Sequence, residues 1–214
     1  PTSEITINNE LITSKLQENI AIYDKKGEQH YDVISAFIKS IRGSDPNGAI
    51  YWLARMIEGG EDPLFIARRL VISTSEDIGL ANPNAMLLAQ ACLQSVHQIG
   101  MPEGRIPLAE CTIYLATSPK SNSAYMAINE AIETVKKQGA LPVPLHLRNA
   151  PTKLMKELGY AEDYKYAHNY AGNFVDQEFL PKEISGKVFY NPANNPKEAE
   201  LRRSLATKWK KYNY

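Results

Sequence analysis

Ser40-Ile-Arg-Gly-Ser-Asp-Pro-Asn-Gly-Ala-Ile-Tyr-Trp-Leu-Ala-Arg-Met-Ile-Glu-Gly-Gly-Glu-Asp-Pro-Leu-Phe-Ile-Ala-Arg-Arg-Leu-Val-Ile-Ser-Thr-Ser-Glu-Asp-Ile-Gly-Leu80 reads as two consecutive helices, each punctuated at both ends. Pro46 suits the first position of a helix, where its missing N–H costs nothing, and Ser44 or Asp45 before it can accept the orphan amide hydrogens. Ile50, Leu53, Ala54 and Ile57 recur at helical spacing before Gly59-Gly60 offers a left-handed stop. Asp62-Pro63 repeats the start, and Leu64, Ala67, Leu70, Val71 and Ile78 carry an apolar stripe to Gly79. The short connection predicts that the two helices pair as an antiparallel hairpin.

Working outward, Tyr31 to Arg42 forms a preceding helix with Val33, Ile34, Phe37, Ile38 and Ile41 on one side. Before it lie a short helix over Glu10 to Leu16 with Asn8 or Asn9 as cap, an extended stretch at Ile20, Ile22 and Tyr23, and a turn at Asp24 to Gly27. Downstream, Asn82-Pro83 gives a third cap-plus-proline start for a helix carrying Met86, Leu87, Ala89, Ala91, Cys92 and Val96 and ending near Gly100. Pro107 to Thr117 supports a further helix, stopped by Ser118-Pro119 because proline disfavours a helical residue before it. Ser121 or Asn122 caps another through Lys137, with Met126, Ile128, Ala131, Ile132 and Val135 as its apolar positions.

The character then changes. Three prolines in the ten residues from Pro142 to Pro151 exclude a regular helix and predict an extended run. Thr152 to Leu158 recovers about two turns, Tyr160 to Tyr190 is aromatic and aperiodic, and Gly186 to Tyr190 is at best one short strand. Asn195-Pro196 caps a terminal helix with Leu201, Leu205 and Trp209 at i, i+4 and i+8. Its neighbourhood is basic, with Lys197, Arg202, Arg203, Lys208, Lys210 and Lys211 against Glu198 and Glu200. The pattern predicts an all-α protein with an extended proline-rich segment and a mostly irregular C-terminal part.

The 214 residues suffice for one large domain or two small ones. Twenty-four basic and 24 acidic residues cancel, which removes the whole-domain charge signature of nucleic-acid binding while leaving room for a local patch. No apolar run approaches the roughly 20 residues of a membrane span, and the start Pro1-Thr2-Ser3-Glu4 has no leader pattern, so no membrane is expected and a cytoplasmic setting is. A start without methionine predicts that the chain is a piece of something longer. Cys92 and Cys111 sit in apolar helical patterns without a Cys-x-x-Cys pair and read as small buried thiols.

The residues offer no catalytic constellation. Gly43-Ser-Asp-Pro-Asn-Gly48 has the glycine spacing of a phosphate-binding loop, but Ala49-Ile50 stands where Lys and Ser or Thr are required. Glu76 and Asp77 lie too far from Leu70-Val71-Ile72 to be a strand-end magnesium site; Glu76 instead shares a helical face with Arg69, and Asp77 lies one turn past Ser73. His30, His97, His146 and His168 are scattered without ligand spacing. Ser118, Ser121 and Ser123 near Lys120 lack the Ser-x-x-Lys order and read as caps. Tyr160, Tyr164, Tyr166 and Tyr170, with Lys165 and His168 between them, either stack single-stranded bases or anchor an irregular segment.

Several long runs carry a resemblance. His30-Tyr-Asp-Val-Ile-Ser-Ala-Phe-Ile-Lys-Ser-Ile-Arg-Gly-Ser-Asp-Pro46, Tyr51-Trp-Leu-Ala-Arg55, Asp62-Pro-Leu-Phe-Ile-Ala-Arg-Arg69, Ser75-Glu-Asp-Ile-Gly79, Ala116-Thr-Ser-Pro-Lys-Ser-Asn122 and Val143-Pro-Leu-His-Leu-Arg-Asn-Ala-Pro-Thr-Lys-Leu-Met-Lys-Glu-Leu-Gly-Tyr160 resemble the C-terminal region of the RarA/MgsA family. These are AAA+ ATPases related to the eukaryotic Werner-helicase-interacting protein. The resemblance covers nearly the whole chain and implies that residues 1–28 are the last part of an AAA+ lid. It implies that residues 29–214 are a helical oligomerisation domain similar to the clamp-loader collar.

The family's Walker A lysine and Walker B acids match no position here. The resemblance therefore places ATP and magnesium in an N-terminal module outside this chain, with no cofactor, metal or catalytic residue in it. It further implies self-association as a homotetramer, action on DNA at stalled forks through the full-length protein, association with single-strand-binding protein, and a nucleoid-associated location in a bacterium. Arg148, Lys153, Lys156, Lys208, Lys210 and Lys211 are the candidate DNA or partner contacts. An assembly module of a DNA-dependent ATPase is thus set against an independent helical DNA- or protein-binding module, with an unrecognised helical hydrolase a distant third.

Overall fold

Helix α1, Glu28–Arg42, buries Val33, Ile34, Phe37, Ile38 and Ile41, the five positions its 3.6-residue period places on one side. The computed structural model describes residue 9 and residues 28–214. The expected helix at Glu10 to Leu16, the extended stretch at Ile20 to Tyr23, the turn at Asp24 to Gly27 and most of the lid remnant over 1–28 therefore lie outside the described residues.

Helix α2, Pro46–Glu58, begins as its sequence requires: Asp45 Oδ1 accepts from the amides of Asn47 and Gly48 at 3.0 Å each, and Pro46 occupies the first turn. A Cβ at Gly48 would sit 2.7 Å from Asp45 Oδ2, so glycine leaves the capping carboxylate its place. Helix α3, Pro63–Ser73, starts in the same way, with Asp62 accepting from Leu64 N at 3.0 Å. Its α-geometry ends at Ser73, earlier than the stripe to Gly79 predicts. Residues Thr74–Ile78 form one wider π-turn, closed by Gly79 N on Thr74 O, with Gly79 at φ 49°.

Helices α4, Asn84–Ile99, and α5, Arg105–Thr117, complete the first unit, Pro1–Lys120. The expected α2–α3 hairpin does not form. α2 packs mainly on α1 and α5, and α3 on α4 and α5. The reason is α5, whose Leu108, Cys111, Thr112, Leu115 and Ala116 are all buried and draw the stripes of both helices toward themselves. Asn82 is not a helix cap either, since its side-chain amide donates to Tyr114 Oη at 3.0 Å and Ser118 Oγ at 3.1 Å. Among the described residues, the cluster of buried hydrophobic side chains that forms the core lies in this unit.

The second unit, Ser121–Tyr214, contains α6, Ser123–Gln138, α7, Lys153–Glu157, and α8, Pro196–Lys208, joined by irregular chain with short tight turns. Among the described residues there is no strand, so Gly186 to Tyr190 is not one. The proline-rich run is non-helical except for a tight turn at Leu145–Leu147. The polar side chains Ser121, Ser123, Thr134, Asn195 and Glu198 are buried in this unit.

Candidate functional site

Within the first unit, segments 43–46, 75–79 and 116–120 converge on one polar junction. Arg42, at the end of α1, donates through Nε to Asp77 Oδ1 at 2.5 Å and through its terminal nitrogen to Glu76 Oε1 at 3.0 Å. Ser73 Oγ donates to the other oxygen of Asp77 at 3.2 Å, so this nearly buried carboxylate is held on both sides. The π-turn places Glu76 and Asp77 there, and Arg42 rather than Arg69 is the partner of Glu76.

Lys120 closes the junction. Its ammonium shares three N–H donors among Ser44 Oγ at 3.0 Å and the carbonyls of Leu115, Ala116 and Ser118 at 3.1, 3.0 and 2.6 Å. A positive charge thus sits on the orphan carbonyls at the C-terminal end of α5, where the helix dipole favours it. Burial pushes the Lys120 pKa down, opposed by the charge of Asp77. Ser44 adopts φ 61°, a conformation unusual for a residue other than glycine and stabilised here by that contact. The chemistry available is electrostatic fastening of α1, the π-turn and α5.

Elsewhere in this unit, His30 Nδ1 lies 2.9 Å from Glu61 Oε2. Cys92 and Cys111 are buried free thiols, and Cys92 donates to Pro107 O at 3.3 Å. The neighbouring Cys92 thiol, and then burial, push the Cys111 thiol up. Among the described residues no cluster of His, Cys, Asp or Glu is arranged to hold a metal ion, and no helix is long and apolar enough to cross a membrane.

The candidate basic contacts all lie in the second unit and divide into two kinds. Arg148 is spent internally: Nε donates to Val143 O at 2.7 Å, and the guanidinium meets Tyr160 both edge-on and over the ring. Lys211 donates to Glu178 Oε1 at 2.9 Å and lies over Trp209 and Tyr212, while Lys210 reaches Ala206 O at 3.0 Å on the last turn of α8. Lys153 stands 3.9 Å from Glu157 in an exposed pair, and Lys156 and Lys208 are exposed. Of the tyrosine stretch, Tyr164, Tyr166 and Tyr170 are exposed, and Tyr166 contacts His168 at 5.1 Å between ring centres.

A buried carboxylate organises the end of the chain. Glu198 is fully buried and accepts from Ser123 Oγ, Tyr190 Oη, Ala193 N and Asn195 Nδ2, while Asn195 Oδ1 accepts from Glu198 N. Asn195 thus caps α8, and Glu198 reaching back to the Asn195 side chain and to Ser123 fastens α8 to the start of α6. Burial pushes Glu198 up, but its hydrogen bonds prevail and hold it at about 2. The same carboxylate, after burial, raises Tyr190 to about 12.

One exposed surface escapes the sequence reading. The apolar positions of α6 face outward: Tyr125, Ile128, Ile132 and Val135 are between 44% and 64% exposed, and the buried residues of the helix are Ser123 and Thr134. Spacing i, i+3, i+7 and i+10 makes those four a continuous stripe. Periodicity finds such a stripe but not what covers it.

Comparison with known proteins places these features in context. Residues 43–209 match the family described as MgsA AAA+ ATPase C terminal, and residues 1–42 match the AAA C-terminal domain family. The chain is similar to proteins named Replication-associated recombination protein A. It is 44% identical to that of Coxiella burnetii over 93% of this chain and 46% of the relative, and 47% identical to that of Bacillus subtilis over 91% and 46%. It is also 45% identical to the ATPase WRNIP1 of Dictyostelium discoideum over 87% of this chain and 22% of that protein. The chain thus spans less than half the length of these relatives.

Proposed function

We propose, from the premise that this chain belongs to the MgsA family of AAA+ ATPases and is its C-terminal region, that it is the assembly collar that brings the ATPase modules of the parent together. The observation that carries this reading is the exposed stripe Tyr125, Ile128, Ile132 and Val135 on a helix whose buried residues are small and polar. A second copy of the chain is the occupant that fits a collar. A stable contact between copies buries on the order of 1,200 Å² or more, which requires the stripe together with its surroundings.

The physical benefit is proximity. In AAA+ proteins the nucleotide lies between subunits, and an arginine from the neighbour stabilises the charge on the transferred phosphoryl group, an effect worth about 10³ to 10⁵ in rate for measured arginine fingers. Tethering through a collar raises the effective concentration of the neighbouring module toward millimolar without any contact to ATP. ATP and magnesium belong, in this reading, to the N-terminal module. The parent acts on DNA in replication-associated recombination as a homotetramer, with single-strand-binding protein as a partner. Residues 1–28 belong to the lid and 29–214 to the collar.

The test is the ATPase rate of the parent with and without this region, across dilution. Loss of specific activity on dilution only in the truncated protein supports the collar; full activity of the truncated protein at all concentrations refutes it.

A second reading, DNA binding by the second unit, is favoured by one observation: residues 121–214 carry 14 basic and 10 acidic residues, with Lys153, Lys156, Lys208 and Lys210 exposed. Binding of that kind weakens steeply with salt, whereas assembly through apolar helix faces does not.

A further inference from the structure

We infer that copies of this chain meet head to tail, the α6 stripe of one copy seating on the exposed face of α5 and the turn before it in the next. The inference rests on the assembly reading above and specifies its geometry.

The first unit exposes a second set of large apolar side chains. Ile106 and Ile113, seven residues apart on one face of α5, are 60% and 46% exposed, and Ile99 and Met101 at the end of α4 and in the following turn are 56% and 41% exposed. Glu103 and Glu110 are exposed among them, and the one cation of that stretch, Arg105, is turned back to donate to Pro102 O at 2.6 Å. This face is apolar with an acidic margin.

The α6 stripe has the opposite margin. Glu133 pairs with Lys136 at 3.4 Å and Glu130 with Lys187 at 3.4 Å, which leaves Lys137 in excess at the end of the helix. The charge of the whole chain is split in the same sense. Residues 1–120 carry 10 basic and 14 acidic residues, residues 121–214 carry 14 and 10, so a net charge of zero conceals two units of equal and opposite charge. A head-to-tail contact sets these unlike faces together. A contact that joined like faces would instead set the acidic margins of two α5 faces against each other. A repeated head-to-tail contact closes into a ring when its rotation returns to the first copy, the arrangement a collar requires.

The experiment uses the chain with Ile113→Asp or Ile128→Asp, both at exposed positions, with circular dichroism to confirm unchanged helix content and Ile→Gln versions should either Asp variant lose it. Mass is measured by light scattering for each variant and for an equimolar mixture. Each variant alone is expected at 24.0 kDa under conditions where the parent chain associates. The mixture is expected to form two-chain particles, because Ile113→Asp retains a good α6 and Ile128→Asp retains a good α5. If the mixture stays at one chain while the parent chain associates, or if Ile113→Asp associates as the parent does, the head-to-tail geometry is overturned and assembly stands. If the parent chain itself never associates, the assembly reading fails.

Discussion

Lys120 Nζ lies 3.0 Å from Ser44 Oγ, 76 residues earlier in the chain, and in that position also donates to the last carbonyls of α5. One ammonium therefore holds the end of the central helix of the first unit to the turn that starts α2. Replacing Lys120 with Met keeps much of the side-chain stem but leaves those carbonyls and Ser44 without their donor. The expected cost is about 1–3 kcal/mol, a fall in midpoint temperature of several degrees for a unit of this size. Thermal unfolding followed by circular dichroism checks it; an unchanged midpoint would show that water replaces the ammonium at no cost.

Asp77 is the other anchor of the junction, nearly buried between Arg42 and Ser73. Asp77→Asn keeps the shape and removes the charge that receives the guanidinium. The expected loss of about 1–3 kcal/mol is larger than a fully exposed ion pair accounts for, because the Asp77 carboxylate is nearly buried although Arg42 is half exposed. In a double-mutant cycle with Arg42→Met the two losses should be far from additive. Additivity within about 0.5 kcal/mol would mean that the pair does not act as a unit.

Glu198 makes the docking of α8 depend on pH. Its folded pKa of about 2 lies below the ordinary 4.5, so its contribution is complete above about pH 4.5 and disappears as pH falls toward 2. Two and a half pH units correspond to roughly 3 kcal/mol at most. Glu198→Gln should therefore destabilise the second unit at pH 7, and the gap to the parent chain should narrow between pH 5 and pH 2. Glu178, also held at about 2 against the cost of burial, by Ser185, Leu180 N and Lys211, keeps some acid sensitivity in the variant. Denaturant midpoints at a series of pH values decide the matter, and a gap independent of pH would contradict the assignment.

The first unit was largely legible. Asp45-Pro46 and Asp62-Pro63 fix two helix starts because a carboxylate cap and a proline need only local chain, and the α1 stripe is buried as its period demands. What local rules do not contain is competition among elements. The α2–α3 hairpin was the natural reading of a short connection, yet α5 draws both helices to itself. Asn82 had the form of a cap but is engaged by Tyr114 and Ser118, which are distant in sequence. At α6 the spacing gives the apolar stripe but not its exposure, because an exposed stripe and a buried one leave the same periodic trace. Among the basic candidates, composition could not separate Arg148 and Lys211, already engaged by Val143, Tyr160 and Glu178, from the exposed Lys156 and Lys208.

For nucleic acid, the expectation is weak binding by this chain alone. Neutralising about four phosphates through the exposed lysines predicts a loss of about 3.6 decades of affinity per decade of salt on duplex DNA. Lys156→Ala with Lys208→Ala should flatten that slope, whereas Arg148→Ala should not. Fluorescence anisotropy at several salt concentrations measures both; tight binding that persists in high salt would instead assign a stacking role to Tyr164, Tyr166 and Tyr170.

The central claim is assembly, and the mass of this chain in solution tests it most directly. Light scattering from below one micromolar to tens of micromolar should show the mass rise from 24.0 kDa to a whole-number multiple of it, with Ile128→Asp remaining at a single chain throughout. A constant 24.0 kDa for the parent chain across that range would contradict the account.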